Sequence, residues 1–122
     1  MGKALSYENH RLVFEDDFDG TELDRSCWNV ELHPPGWVNE ELQAYVDNGE
    51  TVRVEGGKLL PRAVKKADRD GRVSYTSGRV STQWKRDFTY GIFEARLKVP
   101  QGKGLLPAFW LMTTDEERYG QW

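Results

Sequence analysis

The sequence holds few of the residues from which reactive centres are usually assembled. Its 122 residues include one cysteine, Cys27, and two histidines, His10 and His33. A lone thiol excludes an internal disulfide, and so small a set excludes a His/Cys zinc site. Long apolar runs are missing: nothing approaches the roughly 18–20 residues of a membrane-spanning helix, so no membrane partner is expected. A strong charge of either sign is missing too. The formal net charge of −3 gives no electrostatic reason to expect nucleic acid as a partner. The opening Met1-Gly2-Lys3-Ala4-Leu5 lacks the apolar stretch of a secretory signal. Either the chain is cytoplasmic or a leader has been removed, and Cys27 is compatible with both.

Helical periodicity is the last absence. No segment keeps an apolar 3.6-residue repeat for three turns, and only one helical turn, capped by Asp24 before Trp28, is expected. Alternation takes its place. Phe93, Ala95, Leu97 and Val99 point one way while Glu94, Arg96 and Lys98 point the other, the period of a strand with one wet face. Residues 11–18, 28–32, 42–46, 51–54, 58–65, 74–83 and 105–112 follow the same pattern less strictly. Asp19-Gly20, Asn48-Gly49, Gly56-Gly57, Asp70-Gly71 and Pro100-Gln101-Gly102 punctuate them as turns.

An aromatic share of 12% is too rich for a disordered chain. The pattern predicts an all-β fold, an antiparallel sandwich or barrel. Residues 105–112 are apolar on both faces and suit a central strand. Pro61 offers no N–H to a ladder, so its strand lies at an edge or carries a bulge. Residues 113–122 read as a polar loop ending on Trp122, with no strand returning. A large ring left in water forfeits roughly 1.5–3 kcal/mol, so a truncated domain is expected.

Three constellations bear on chemistry. Glu15, Asp17, Asp19 and Gly20 imitate the start of an EF-hand loop, but position twelve is Ser26 where that loop requires glutamate, and no flanking helices are indicated. An EF-hand is excluded; a looser calcium site competes with a plain solvated strand end. Trp28, Trp37, Trp84, Trp110 and Trp122 are many indoles for so short a chain. Sugar C–H faces stack on indole, and sugar hydroxyls need planar polar partners. Residues 35–45 interleave both kinds of group, and Arg79 shares a strand face with Tyr75, Ser77 and Ser81. The bland alternatives are a core aromatic beside a solvated loop and a surface arginine. Glycosidic hydrolysis needs two carboxylates, about 5–5.5 Å apart in retaining enzymes. The nearest pairs, Glu15/Asp17, Glu22/Asp24 and Asp115/Glu117, all fall at strand ends or in loops, with no apolar setting to raise a pKa. No Ser/His/Asp group or phosphate-cradling glycine loop can be assembled either.

Taken in order, the segments carry a family resemblance. The pieces are Leu12-Val13-Phe14-Glu15-Asp16-Asp17-Phe18-Asp19-Gly20, Leu23-Asp24 with Trp28-Asn29, Gly36-Trp37-Val38-Asn39-Glu40-Glu41-Leu42-Gln43-Ala44-Tyr45, and Tyr75-Thr76-Ser77-Gly78-Arg79. Tyr90-Gly91-Ile92-Phe93-Glu94-Ala95-Arg96 and Pro100-Gln101-Gly102-Lys103-Gly104-Leu105-Leu106-Pro107-Ala108-Phe109-Trp110 complete the set. Together they resemble glycoside hydrolase family 16, most closely its laminarinase-like endo-β-1,3-glucanases.

The resemblance implies a concanavalin-like β-jelly roll with a substrate cleft on its concave sheet. Residues 1–10 would be an extension and 11–122 the N-terminal portion of one such domain. The family's Glu-x-Asp-x-x-Glu motif follows a Trp-Pro segment. Trp122 resembles that tryptophan, so no catalytic residue is expected before it, and the chain alone is expected to be inactive. Asn39 and Arg79 resemble residues that hydrogen-bond the glucan. Trp110 and Trp122 resemble aromatic walls near the cleavage point, and Trp37 would add a stacking platform. No cofactor is implied for catalysis; a structural calcium is, near Asp17 and Gly57. Leu106, where tryptophan is frequent, and Pro61 depart from the family pattern. The implied partners are a β-glucan and whatever supplies the remaining strands, without which the chain would be unstable. A non-catalytic glucan-recognition protein on the same scaffold is the rival reading, and a branch acting on mixed-linkage glucan or a galactan is a third.

Overall fold

A computed structural model describes residues 5–120, which divide into two compact units. Residues 11–86 form one; residues 5–10 and 87–120 form the other. Seven strands lie in the first: β1 (Asn29–Val30), β2 (Gln43–Tyr45), β3 (Val52–Val54), β4 (Leu59–Pro61), β5 (Val64–Ala67), β6 (Val73–Ser77) and β7 (Val80–Ser81). They build three small sheets, β1-β7, β2-β6-β5 and β3-β4, which bears out the all-β expectation.

The β3–β4 hairpin turns on Gly56 and Gly57, both left-handed at φ +59° and +71°. Two successive positive φ angles suit the twist of a two-residue hairpin and favour glycine. Glu55 and Lys58 exchange both backbone bonds at 3.0 and 3.2 Å, and the Arg62 N–H donates to the Thr51 carbonyl at 2.9 Å. Bonded pairs alternate along an antiparallel ladder. Pro61, opposite Val52, therefore falls at a non-bonded position where its missing N–H costs nothing.

One pairing departs from the antiparallel expectation. β2 runs parallel to β6, with Gln43 beside Tyr75 and Tyr45 beside Ser77. The long connection a parallel pair needs is filled here by β3, β4 and β5.

Residues 74–83, expected as one strand, are interrupted at Gly78–Arg79, where the chain leaves β2 and β5 and joins β1. The interruption has a packing cause. A Cβ on Gly78 would lie 2.2 Å from the Thr51 carbonyl oxygen and 2.7 Å from Val52 Cγ2. Thr51 is wholly buried, and its hydroxyl lies 3.0 Å from the Val46 carbonyl and 3.1 Å from Asn48 Oδ1. Val52, Val54 and Cys27 are the other buried residues of this core.

Residues 11–18 form no strand, yet their alternation is real. Phe14, Asp16 and Phe18 are half-buried while Glu15 and Asp17 are exposed. Both phenyl rings sit 5.9 Å from the Trp28 indole, whose N–H donates to Asp16 Oδ2 at 2.8 Å. The expected helical turn before Trp28 is present: the N–H groups of Cys27 and Trp28 donate to the Asp24 carbonyl at 3.0 and 2.9 Å.

In the second unit, residues 93–99 and 105–112 are not strands, a correction to the reading from alternation. Strand geometry is fixed by a ladder, and no described residue provides one for these segments. Part of the supposed polar loop is a short helix, α1 (Glu116–Tyr119), where the Asp115 carboxylate accepts from the Arg118 N–H at 3.0 Å. Phe88 packs edge-on against Phe93 at 5.7 Å.

Replacing Gly78 by alanine drives a methyl group into backbone, and overpacking of this kind costs about 1–3 kcal/mol or more. Thermal denaturation of Gly78→Ala is expected to show a midpoint several degrees below the parent; an unchanged midpoint would contradict the contact with Thr51.

Candidate functional site

The site grows out of the β1–β7 pairing. Asn29 faces Ser81 and Val30 faces Val80. One step further in the same register, Glu31 faces Arg79, and the Glu31 N–H donates to the Arg79 carbonyl at 2.9 Å. Their side chains close the same gap, with Arg79 Nε 2.6 Å from Glu31 Oε2 and both groups less than one fifth exposed. His33 lies two residues beyond Glu31, and its Nε2 is 3.1 Å from that same oxygen.

His33 also anchors the neighbouring loop. It exchanges both backbone hydrogen bonds with Tyr45, at 3.1 and 2.9 Å. Between these two residues the chain makes an excursion through Trp37. The Gly36 N–H donates to the Glu41 carbonyl at 2.8 Å, and the Glu41 N–H to the Val38 carbonyl at 3.0 Å. Asn39 and Glu40 are left-handed in succession, at φ +51° and +55°. Asparagine is among the few residues that accept that conformation at modest cost.

The loop sets Trp37 flat against the His33 ring, centroids 3.5 Å apart and planes within 7°. Trp37 and Tyr45 meet edge to face at 6.5 Å. The Arg79 guanidinium carbon sits 5.1 Å from the Trp37 ring and 5.7 Å from the Tyr45 ring, within cation–π range. Glu41, just before β2, and Gln43 and Tyr45 within it follow the two-residue strand period. Glu41 Oε2 accepts from the Tyr45 hydroxyl at 2.8 Å and from Gln43 Nε2 at 2.9 Å. Burial, and then the hydrogen bond to Glu41, hold the Tyr45 phenol above its ordinary pKa.

This part of the chain gathers aromatic rings with planar donors and acceptors, the combination that holds sugar rings by face and hydroxyl. Of the residues expected from sequence, Trp37 and Arg79 are in contact here. Asn39 is exposed in the same loop. Trp110 belongs to the other unit, where it is about half exposed. Trp122 lies outside the described residues. Glu31 and His33 carried no motif signal, although the alternation of residues 28–32 and the register with Arg79 mark Glu31 once the sheet is known.

Two of the acids weighed from sequence, Asp24 and Asp115, are engaged elsewhere. Hydrogen bonds from the Ser26 hydroxyl and N–H hold the Asp24 carboxyl below its ordinary value, the wrong direction for a proton donor. Asp115 caps α1. Asp17 is exposed beside a recess of about 250 Å³ lined by Phe14, Asp16, Glu22 and Cys27 among others, while Gly57 sits in the hairpin turn. Among the described residues no three His, Cys, Asp or Glu side chains converge to hold an ion.

Residues 36–120, most of the chain, match the family model described as glycosyl hydrolases family 16. The chain belongs to that family. A glucan endo-1,3-beta-glucosidase from Cryptopygus antarcticus is 46% identical over 116 residues, covering 91% of this chain and 41% of that protein. The crystal structure of a laminarinase from Flavobacterium sp. UMI-01 superposes with a TM-score of 0.70 at 36% identity, covering 90% of this chain and 46% of the other. A beta-1,3-glucan-binding protein from Penaeus monodon is 29% identical over 149 residues, covering 91% of this chain and 40% of that protein. The chain thus spans less than half the length of each. Its open sheets belong to the β-jelly-roll sandwich of family 16.

The raised Tyr45 pKa has a stability consequence. The folded state keeps this proton above pH 10, where the unfolded chain gives it up, so the stability it contributes is present below pH 10 and lost as pH rises through the folded value. Spectrophotometric titration is expected to show a late-ionising tyrosine component that Tyr45→Phe removes. Tyr7, bonded to Glu94, supplies a second late component that survives the substitution.

Proposed function

We propose that this chain supplies the glucan-holding wall of a domain that hydrolyses internal β-1,3-glucosidic bonds of laminarin-type glucans. The observation that carries this reading is the cluster of Trp37, Tyr45, Arg79, Glu41 and Gln43, in which aromatic faces adjoin side chains able to pair with sugar hydroxyls. The names of the family 16 relatives and of the laminarinase support the substrate class.

In the whole protein a retaining mechanism would place one carboxylate as nucleophile and a second as acid/base, about 5–5.5 Å apart. The sequence contains no Glu-x-Asp-x-x-Glu. Glu31 and Glu41 already act as hydrogen-bond acceptors. This chain therefore contributes binding, through Trp37 and Arg79 together with Asn39, Trp110 and Trp122, and leaves the chemistry to residues it does not contain. The 122-residue chain is expected to release no reducing sugar from laminarin, and measurable hydrolysis by pure material would overturn that assignment.

Within a catalytically complete protein, Trp37→Ala is expected to raise KM for laminarin about tenfold with little change in kcat, since a ring stack binds ground and transition states alike. A kcat loss at constant KM would contradict a binding role. The glucan-binding relative favours a second reading, recognition without hydrolysis. Assay of the whole protein against laminarin, mixed-linkage glucan and galactan separates these outcomes.

A further inference from the structure

Two donors from distant parts of the chain meet on one atom. Arg79 Nε and His33 Nε2 lie 2.6 and 3.1 Å from the same Glu31 oxygen, Oε2, and the Glu31 side chain is only 18% exposed. Each donor also touches the same ring. His33 covers one face of Trp37 in a parallel stack at 3.5 Å, and the Arg79 guanidinium carbon is 5.1 Å from that indole's centroid. The contacts close a circuit: Glu31 to Arg79, Arg79 to Trp37, Trp37 to His33, and His33 back to Glu31. The outer member, Trp37, is 43% exposed and also meets Tyr45 edge to face at 6.5 Å.

A carboxylate holding two N–H donors fixes their separation and direction, because both bonds must point at one oxygen. Here that restriction reaches the indole. Losing the carboxylate would remove the acceptor that Arg79 and His33 share, and would free the imidazole to rotate away from Trp37. Tyr45 and Glu41 are the other ionisable groups gathered around this circuit.

We propose that Glu31 is the positioning residue of this site, holding Arg79 directly and the plane of Trp37 through His33. Glu31 acts through its neighbours and is not a catalytic residue. The proposal rests on the glucan reading for its ligand alone; the positioning role stands on the geometry.

The test compares Glu31→Ala, Glu31→Gln and His33→Ala with the parent protein, each checked for folding by circular dichroism. One readout is the proton NMR position of the His33 ring, which the Trp37 ring current displaces upfield while the two are stacked. The other is the dissociation constant for laminarihexaose by calorimetry. Glu31→Ala is expected to return the His33 ring protons toward their free-peptide positions and to weaken laminarihexaose about tenfold. Glu31→Gln keeps an oxygen able to accept both N–H groups, so it should retain the ring-current displacement and most of the affinity. His33→Ala should weaken binding several-fold with Arg79 left in place. A folded Glu31→Ala protein with both readouts unchanged overturns the proposal. Should Glu31→Ala fail to fold, His33→Ala with undiminished affinity overturns it instead. A Glu31-dependent ring-current displacement in a protein that binds no laminarihexaose upholds the positioning role and sinks the glucan reading.

Discussion

The structure of residues 11–86 depends on one close approach, the backbone of Gly78 against the carbonyl of Thr51. No side chain fits between them. Thr51 is held in place from several directions. Its N–H and hydroxyl engage Asn48, the hydroxyl also reaches Val46, and its carbonyl accepts from Arg62. The turn after β2, the start of β3 and the end of β4 therefore meet at a single buried residue. Pressing the β6–β7 junction onto that point decides where β7 begins, and so where Arg79 leaves the backbone. A buried hydroxyl without a partner costs about 1–3 kcal/mol, so the alternatives offered by Val46 and Asn48 keep the junction affordable.

From that junction outward, order is carried by polar contacts more than by apolar burial. The apolar core is small: among the described residues only Cys27, Val52 and Val54 are buried hydrophobics. The Glu31–Arg79 pair gains from low exposure, but removing two charges from water offsets much of the attraction. Its value lies in direction. Glu31 faces Arg79 across the strands, binds it through both backbone and side chain, and passes the constraint to His33. The more exposed Arg25–Asp47 pair, bidentate at 2.5 and 2.8 Å, lowers the Asp47 carboxyl but orders no further group of the site.

Legibility in the sequence followed the range of the interaction. Local signals were readable: the Gly56-Gly57 turn, the Asp24 turn, the tolerated Pro61 and the alternation of residues 11–18 are all dictated within a few residues. The parallel β2–β6 pair was not, because it joins segments some thirty residues apart through side chains that alternate equally well in either direction. Residues 93–99 show the opposite limit. Their alternation is strict, yet alternation states only which face a strand would bury, and a strand requires a partner to bond. In the site, Trp37 and Arg79 were visible as residue types suited to sugar. Glu31 and His33 became visible only through the register that sets residue 31 opposite residue 79.

The same register argues for a division of labour within the domain. A general acid must keep a proton until the leaving oxygen needs it, which calls for a carboxyl deprived of donors and charge partners. Glu31 has an arginine and a histidine on one oxygen, and Glu41 has a phenol and an amide on one oxygen. Both are already engaged as hydrogen-bond acceptors. What the arrangement does well is hold flat surfaces at fixed angles beside fixed donors. Rigid stacking surfaces bind sugar rings without losing freedom at the moment of contact, so affinity is gained before any bond is strained. As the proposed glucan-holding wall, it would serve the ground state and the transition state equally. Under that proposal, the acceleration falls to carboxyls other than these two acceptors.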